Sequence, residues 1–278
     1  MNPAIYYLSG IKRQGTLLYA YSLRRVISGY TGPGINVRKG SSTTVFQDFY
    51  FDPTTGELDQ EAIKSFVGAG NVGYVRILYD QTGKGINLGP TGAVVGREPR
   101  IVTSGSPTGS IVTKNGKIAM SFVAGGFNQL KTVSTLTHDV NNLSIFIVLS
   151  NTAGHGITIN NVTATNEIIF PKSVGGTDYY NYNNIDAMNI GTTTDVNKVY
   201  SSLSTVTSIS AWKNNSINAS SPLTLGNTAI GKTIILGYSS TNLIGTVQEV
   251  LIYEGNPSAR TSITSEIGGY YSISGSVI

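Results

Sequence analysis

The chain has 278 residues, of which 12% are charged and 33 are glycine, with a net charge of +4 and no cysteine. The lack of cysteine excludes a disulfide framework and a thiolate metal site. Its scattered basic residues do not form the stripe that nucleic-acid binding requires. No apolar run approaches the roughly 20 residues of a membrane span, so we expect neither nucleic acid nor a membrane as a partner.

Glycine, asparagine and threonine are abundant, which is typical of an all-β protein with many turns. The segment Met1–Leu8 has no basic region followed by a long apolar stretch. We therefore expect no signal peptide and synthesis in a host cytoplasm. Residues 1–18 are predicted to be an extended lead-in, and residues 19–278 a single domain.

In the first hundred residues, the clearest signal is a helix at Asp59–Val67. Asp59 can cap its first turn, and Gly68 ends it. Strands are predicted around it at Ile35–Arg38, Val45–Phe51 and Gly73–Tyr79. The last of these strands leads into a glycine-rich turn.

Beyond Pro99, short strands dominate. Asn115–Gly116 between apolar positions predicts a type I′ hairpin turn, and a second short helix is predicted at Ala259–Gly268. Many short strands separated by turns predict a sandwich or jelly roll. The predicted strands are Arg100–Val102, Ile118–Phe122, Leu143–Ser150, Gly156–Ile159, Glu167–Phe170, Val199–Leu203, Val206–Trp212, Ile217–Asn218, Thr233–Gly237 and Thr246–Tyr253.

The turn after Tyr79 carries Asp80 and Gln81 ahead of Gly83 and Gly85. Asp and Gln side chains at the start of such a turn can bind loop amides, so we predict a structural role for these residues. Arg24 is the predicted charge-assisted partner of Asp80.

A second notable stretch alternates tyrosine and asparagine and is interpreted as a loop. Tyrosine rings stack on sugars and asparagine binds hydroxyls, although the same residues also serve protein-binding loops or pack on a neighbouring element. For Trp212, core packing is favoured over ligand stacking. The predicted ligand-binding residues are Tyr179, Tyr180, Asn181, Tyr182 and Asn183.

Several segments resemble known families. Ala20–Arg24, Tyr30–Pro33, Val37–Arg38 and Tyr79–Gly85 resemble the N-terminal part of the arabinofuranosidase B-like family, and later strands resemble the laminin-G and concanavalin pattern. The resemblance implies a concanavalin A-like β-sandwich (jelly roll) with one or two short helices, and an arabinofuranosidase B-like subregion at residues 19–105. The family occurs in fungal α-L-arabinofuranosidases, and related sequences occur in phage tail and other virion proteins.

The resemblance also bears on catalysis. A retaining glycosidase needs two carboxyl groups about 5 Å apart. The family's nucleophile strand matches Glu167–Phe170, so Glu167 is the nucleophile if the chain is an enzyme. The family's acid position falls on Thr241, and threonine cannot protonate a leaving oxygen. We therefore expect no catalysis, no cofactor and no metal site.

The main interpretation is a non-enzymatic virion protein: a phage spike, fibre or tail-associated subunit. It would bind a host-surface glycan or other virion subunits, and would assemble as a homo-oligomer within the virion. The alternative is a glycoside hydrolase of the α-L-arabinofuranosidase type. A third interpretation is a bacterial surface adhesin module.

Overall fold

A computed structural model describes residues 16–40, 42–90, 97–104, 109–125, 128–132, 134–136, 142–160, 168–182, 185–192, 196–205, 208–221, 232–237, 242–257 and 260–276. These ranges contain nineteen strands and two helices. The strands are β1 Thr16–Ser22, β2 Pro33–Lys39, β3 Phe46–Tyr50, β4 Gly73–Leu78, β5 Leu88–Gly89, β6 Arg100–Val102, β7 Thr113–Lys114, β8 Lys117–Ile118, β9 Met120–Phe122, β10 Leu130–Thr132, β11 Leu143–Asn160, β12 Ile168–Val174, β13 Thr177–Tyr182, β14 Ile185–Thr192, β15 Lys198–Ser204, β16 Ile209–Lys213, β17 Ser216–Ser221, β18 Thr233–Leu236 and β19 Ile244–Glu254. The helices are α1 Gln60–Val67 and α2 Arg260–Tyr270.

The local predictions with the strongest chemical signals are confirmed. The Asp59 side chain accepts a hydrogen bond from the Ala62 amide at 3.0 Å and caps α1, and Gly68 ends the helix with φ 70°. The β7–β8 turn holds Asn115 at φ 50° and Gly116 at φ 72°. Both angles lie in the left-handed region that a type I′ turn requires.

Eight strands form a closed ring, in the order β11, β18, β10, β5, β4, β6, β9 and β19, with β19 pairing back onto β11. The chain is all-β with two short helices, as expected, but the prediction of a concanavalin A-like β-sandwich (jelly roll) is wrong. Ring closure depends on four strands of only two or three residues, β5, β6, β9 and β10. Strands this short carry no periodic signal that could specify their partners.

The remaining strands of the large sheet lie outside this ring. β1 pairs with β19, while β2 and β3 extend from β4. The two meanders β12–β13–β14 and β15–β16–β17 both extend from β11. β11 therefore has strands on both sides along its length.

β11 is one strand of 18 residues, where the sequence predicted two. Its register shifts between Asn151 and Ala153, and Gly154 follows with φ 88°. A bulge of this kind bends a strand without ending it. Before the bend, Ile145 packs in the barrel core and Phe146 packs in a second core against α2. Because both faces are buried, the strand is an almost continuous apolar run.

Arg24 anchors the start of the chain to β19 and α2. Its guanidinium donates to Glu249 at 2.7 and 3.1 Å, and lies 4.2 Å from the ring centroid of Tyr270. Ser22 and Tyr271 also donate to the Glu249 carboxylate, at 2.8 and 3.1 Å. The prediction that Arg24 pairs with Asp80 is therefore wrong. The two acids lie 169 positions apart in sequence, and only the pairing of β1 with β19 makes Glu249 the neighbour.

Asp80 instead binds backbone amides. Its carboxylate accepts from the Ala20 amide at 3.0 Å and from the Thr82 amide at 3.1 Å. Gln81 accepts from the Val26 amide at 2.8 Å and donates to the Arg24 carbonyl at 2.8 Å. These bonds join the turn after β4 to β1 and the segment that follows it.

Two glycines shape the same turn. Gly83 and Gly85 have φ angles of 80° and 75°. Residues that carry a side chain rarely adopt this backbone conformation. They reverse the chain immediately after the residues that bind β1.

We predict that Glu249→Gln lowers the free energy of unfolding by about 3–5 kcal/mol, because it leaves the buried Arg24 without its counter-charge. The matched control is Glu61→Gln, on the exposed side of α1, where the partner Lys64 is 2.6 Å away. A change below about 1 kcal/mol is expected there. Urea denaturation of both variants measures the difference, and equal effects would contradict the assigned role.

Glu266 on α2 should make stability depend on pH. Burial raises the pKa of Glu266 to about 7, with a smaller contribution from Glu249, while Arg24 opposes the shift. Because the folded state binds the proton more tightly than the unfolded state, the contribution to stability is complete below about pH 4.5 and is lost as the pH rises through 7.

Unfolding free energies measured from pH 4 to 8 test this prediction. Glu266→Gln should flatten the decline across that window. Glu254→Gln, at the exposed end of β19, should leave the decline in place. A Glu266→Gln profile parallel to that of the wild type would count against the prediction.

Candidate functional site

A buried polar cluster joins four strands on the wall of the fold. Its members are Asn151 of β11, Ser173 of β12, Asp178 of β13, and Lys198 and Tyr200 of β15, and we call it the Asp178 cluster. All five side chains are buried, and Asp178 is completely inaccessible to solvent. A carboxylate this deep requires hydrogen-bond donors and a counter-charge.

The Asp178 carboxylate has both. It accepts hydrogen bonds from the hydroxyls of Ser173 and Tyr200, and one of its oxygens lies 3.6 Å from the Lys198 ammonium. The Asn151 amide lies 3.5 Å away. The Asp178 carboxylate therefore contacts side chains of three other strands, β11, β12 and β15.

The surroundings of the cluster keep the Tyr200 phenol protonated near neutral pH. Burial, together with the Asp178 charge and hydrogen bond, raises the pKa of Tyr200 well above its ordinary value, so the phenol stays a donor. Burial lowers the pKa of Lys198, and the attraction of Asp178 opposes that shift. We therefore interpret the Asp178 cluster as a structural anchor for the surrounding strands, and not as a proton-transfer site.

Strand pairing explains why these residues meet. The turn at Gly175–Gly176 joins β12 to β13 and sets Ser173 directly opposite Asp178. Next to them, the Phe170 ring lies 5.5 Å from Tyr180 and 6.1 Å from Tyr200. The stretch interpreted as a loop is therefore a strand up to Tyr182.

The five predicted ligand-binding residues differ in their surroundings. Tyr180 is completely buried in the barrel core, and Tyr179 is half-buried. Asn183 and the side chains of Asn181 and Tyr182 lie outside the described part of the structure. A glycan-binding role for this stretch stays a prediction.

The Asp178 cluster borders the segment in which the resemblance places a catalytic acid. Gly154 pairs with Ser173 and packs against Asn242 so closely that an added Cβ would lie 1.8 Å from the Asn242 carbonyl oxygen. Thr241, the residue before Asn242, lies outside the described residues. The cluster and the start of the segment from Asn242 onward are therefore neighbours.

Glu167, the predicted nucleophile, also lies outside the described residues. The next residue, Ile168, pairs with Ile159, whereas Asn242 packs on Gly154. Those two positions on β11 are five residues, or about 16 Å, apart along the strand. On the other flank of Thr241, Gly237 donates to the Gly156 carbonyl at 3.0 Å. The described residues beside the two predicted catalytic positions therefore meet β11 three to five positions apart.

The sequence analysis missed all four partners of Asp178, namely Asn151, Ser173, Lys198 and Tyr200. Lys198 is the first residue of a strand whose residues are nearly all buried. A lysine in such a strand indicates a buried carboxylate partner. Among the described residues, no group of three or more His, Asp or Glu side chains could hold a metal ion. None of the described helices is long and apolar enough to cross a membrane.

A scan against protein-family models and a search of curated proteins gave no match. Solved structures do match. A GH54 α-L-arabinofuranosidase soaked with a cyclic sulfate inhibitor has a TM-score of 0.70 at 16% identity, over 100% of this chain and 66% of that one. An arabinofuranosidase complexed with arabinofuranosyl-α-1,2-xylobiose has a TM-score of 0.68 at 15% identity, over 99% of this chain and 65% of that one.

These likenesses show a shared fold. The chain spans slightly less than two thirds of the length of both proteins. The main sequence-based interpretation, a non-enzymatic virion protein, is corrected by them, because arabinofuranosidase structures match at least 99% of the chain.

Asp178→Asn is predicted to lower the free energy of unfolding by about 2–4 kcal/mol, because it weakens two hydrogen bonds and leaves buried Lys198 without a negative partner. Asp59→Asn is the matched control, since asparagine caps a helix as well as aspartate does. Thermal unfolding followed by circular dichroism compares the two variants. If both melt at the wild-type temperature, Asp178 does not anchor these strands.

Proposed function

We propose that the chain is a glycoside hydrolase acting on α-L-arabinofuranosides. The observation that carries the proposal is the fold likeness to arabinofuranosidases, with TM-scores of 0.68–0.70 over at least 99% of the chain. A shared fold does not by itself fix a reaction.

In this proposal Glu167 is the nucleophile. Its carboxylate attacks the anomeric carbon, the bond to the leaving group breaks, and water then hydrolyses the glycosyl–enzyme ester. The resemblance aligns Thr241 with the residue that, in the family, would protonate the leaving oxygen. The reaction therefore depends on leaving groups that depart as stable anions without a proton.

The choice of substrate tests this chemistry. The purified chain should hydrolyse 4-nitrophenyl α-L-arabinofuranoside, whose phenolate leaves unprotonated. It should hydrolyse methyl α-L-arabinofuranoside about 10²–10⁴-fold more slowly than an enzyme with an intact acid. Thr241→Asp should raise the rate on the methyl glycoside selectively.

Two substitutions separate the roles. Glu167→Gln should abolish release of 4-nitrophenol, whereas Glu61→Gln on the exposed side of α1 should leave it unchanged. Complete inactivity of the wild-type chain on the aryl substrate would refute the hydrolase proposal. Full activity of Glu167→Gln would refute only the choice of nucleophile.

Other sequence-based expectations stay predictions beside this proposal. They are contact of a glycan with the Tyr179–Asn183 stretch and self-association as a homo-oligomer. In a hydrolase, the first would contribute to substrate recognition. Substitution of the half-buried Tyr179 by alanine would then raise KM more than it lowers kcat.

A further inference from the structure

A groove of about 360 Å³ lies on the side of β15 and β16 that faces α2. Its lining residues are Leu203, Ser210, Trp212, Asn256, Pro257, Arg260 and Thr261. The floor comes from the two strands, where Leu203 pairs with Ser210 and Ser201 pairs with Trp212. The wall comes from the segment after β19 and the first residues of α2.

The groove is separate from the Asp178 cluster. Tyr200 faces the barrel core, while its neighbour Val199 packs with α2 in the second core. Successive residues of a strand point to opposite faces. Ser201 and Leu203 therefore share the α2 side with Val199, and β15 separates the groove from the cluster.

Arg260 is the charged group of the groove. Its guanidinium lies 4.3 Å from the ring centroid of Trp212. It donates to Thr261 at 3.0 Å, to Asn215 at 3.3 Å and to Ser201 at 3.5 Å.

Every one of these hydrogen-bond acceptors is neutral. Burial lowers the pKa of Arg260 without abolishing its charge. Among the residues that the structure describes, no carboxylate forms a salt bridge with Arg260.

The two fully buried arginines of the described residues, Arg24 and Arg38, each have a carboxylate partner. Arg24 pairs with Glu249 at 2.7 Å, and Arg38 pairs with Glu98 through two bonds of 3.0 Å. A guanidinium fork binds a carboxylate with two parallel hydrogen bonds. Arg260 stacks on an aromatic ring as Arg24 does, but it faces an open groove in place of a glutamate.

We infer that this groove binds a carboxylate-bearing sugar, namely a uronic acid unit of a polysaccharide, with Arg260 receiving the carboxylate. Leu203 and the indole of Trp212 provide apolar surface for the C–H groups of the sugar ring. Ser210, Thr261 and the exposed Asn256 provide hydroxyl and amide groups for its hydroxyls. A neutral sugar would give the Arg260 guanidinium no negative charge to pair with.

Trigalacturonic acid and its methyl ester are the probes, because esterification removes the charge and keeps the sugar. Calorimetric titration of the full chain should detect the acid and give at least tenfold weaker binding for the ester. Binding of the acid should also weaken as salt increases. Equal affinity for both probes, or no binding of the acid, would overturn the inference.

Arg260→Gln should weaken binding of the acid about tenfold or more, as expected for loss of a charge-assisted pair. Arg76→Gln is its matched control. Arg76 also stacks on an aromatic ring, 4.3 Å from the centroid of Phe46, but on β4. Equal losses in both variants would mean that overall charge, and not the groove, binds the ligand.

A second variant covers the case in which Arg260→Gln does not fold. Asn256→Asp is nearly isosteric at an exposed position and adds a negative charge to the groove. It should abolish binding of the acid and leave binding of the ester unchanged. Wild-type affinity for the acid in this variant would contradict the inference.

The inference does not rest on the proposed hydrolase activity. Both groove variants should release 4-nitrophenol from the aryl arabinofuranoside at the wild-type rate, because the groove lies across β15 from the Asp178 cluster. In the wild-type chain, hydrolysis without uronate binding would refute only the groove inference, and uronate binding without hydrolysis would refute only the hydrolase proposal.

Discussion

The pairing of β11 with β19 is the constraint on which the rest of this structure depends. The two strands share ten paired positions, from Leu143 with Glu254 to Ala153 with Ile244. β11 then bends at Gly154 and continues between β12 and β18. Because it changes partners at this bend, one strand closes the ring and also carries both outer meanders. The close approach of Gly154 to Asn242 leaves no room for a side chain at the bend.

Burial on both faces of the sheet gives the protein two separate chemical environments. On the barrel side, the Asp178 carboxylate is satisfied by hydroxyls and by Lys198, so its charge holds strands together. On the α2 side, the charge of Arg260 meets only neutral acceptors among the described residues and faces a groove. The first arrangement is typical of structural anchoring, and the second is typical of recognition.

Likeness to arabinofuranosidases at 15–17% identity illustrates how loosely a fold constrains its sequence. Strand pattern and turn geometry can persist while most side chains change, since a core tolerates apolar substitutions of similar volume. Catalysis is less tolerant, because it depends on carboxyl groups at defined separations. A shared fold therefore does not by itself fix the reaction.

The sequence by itself determined the features that depend on neighbouring residues. These are the all-β class, the α1 cap at Asp59, the hairpin turn at Asn115–Gly116 and the short α2 helix, because caps and turns are set within a few positions. Only the tertiary structure decided that the sheet closes into a ring, that Arg24 pairs with Glu249, and that Tyr180 is buried. Each of these depends on strand register between distant segments, and short apolar strands can pair in many ways until the whole sheet forms.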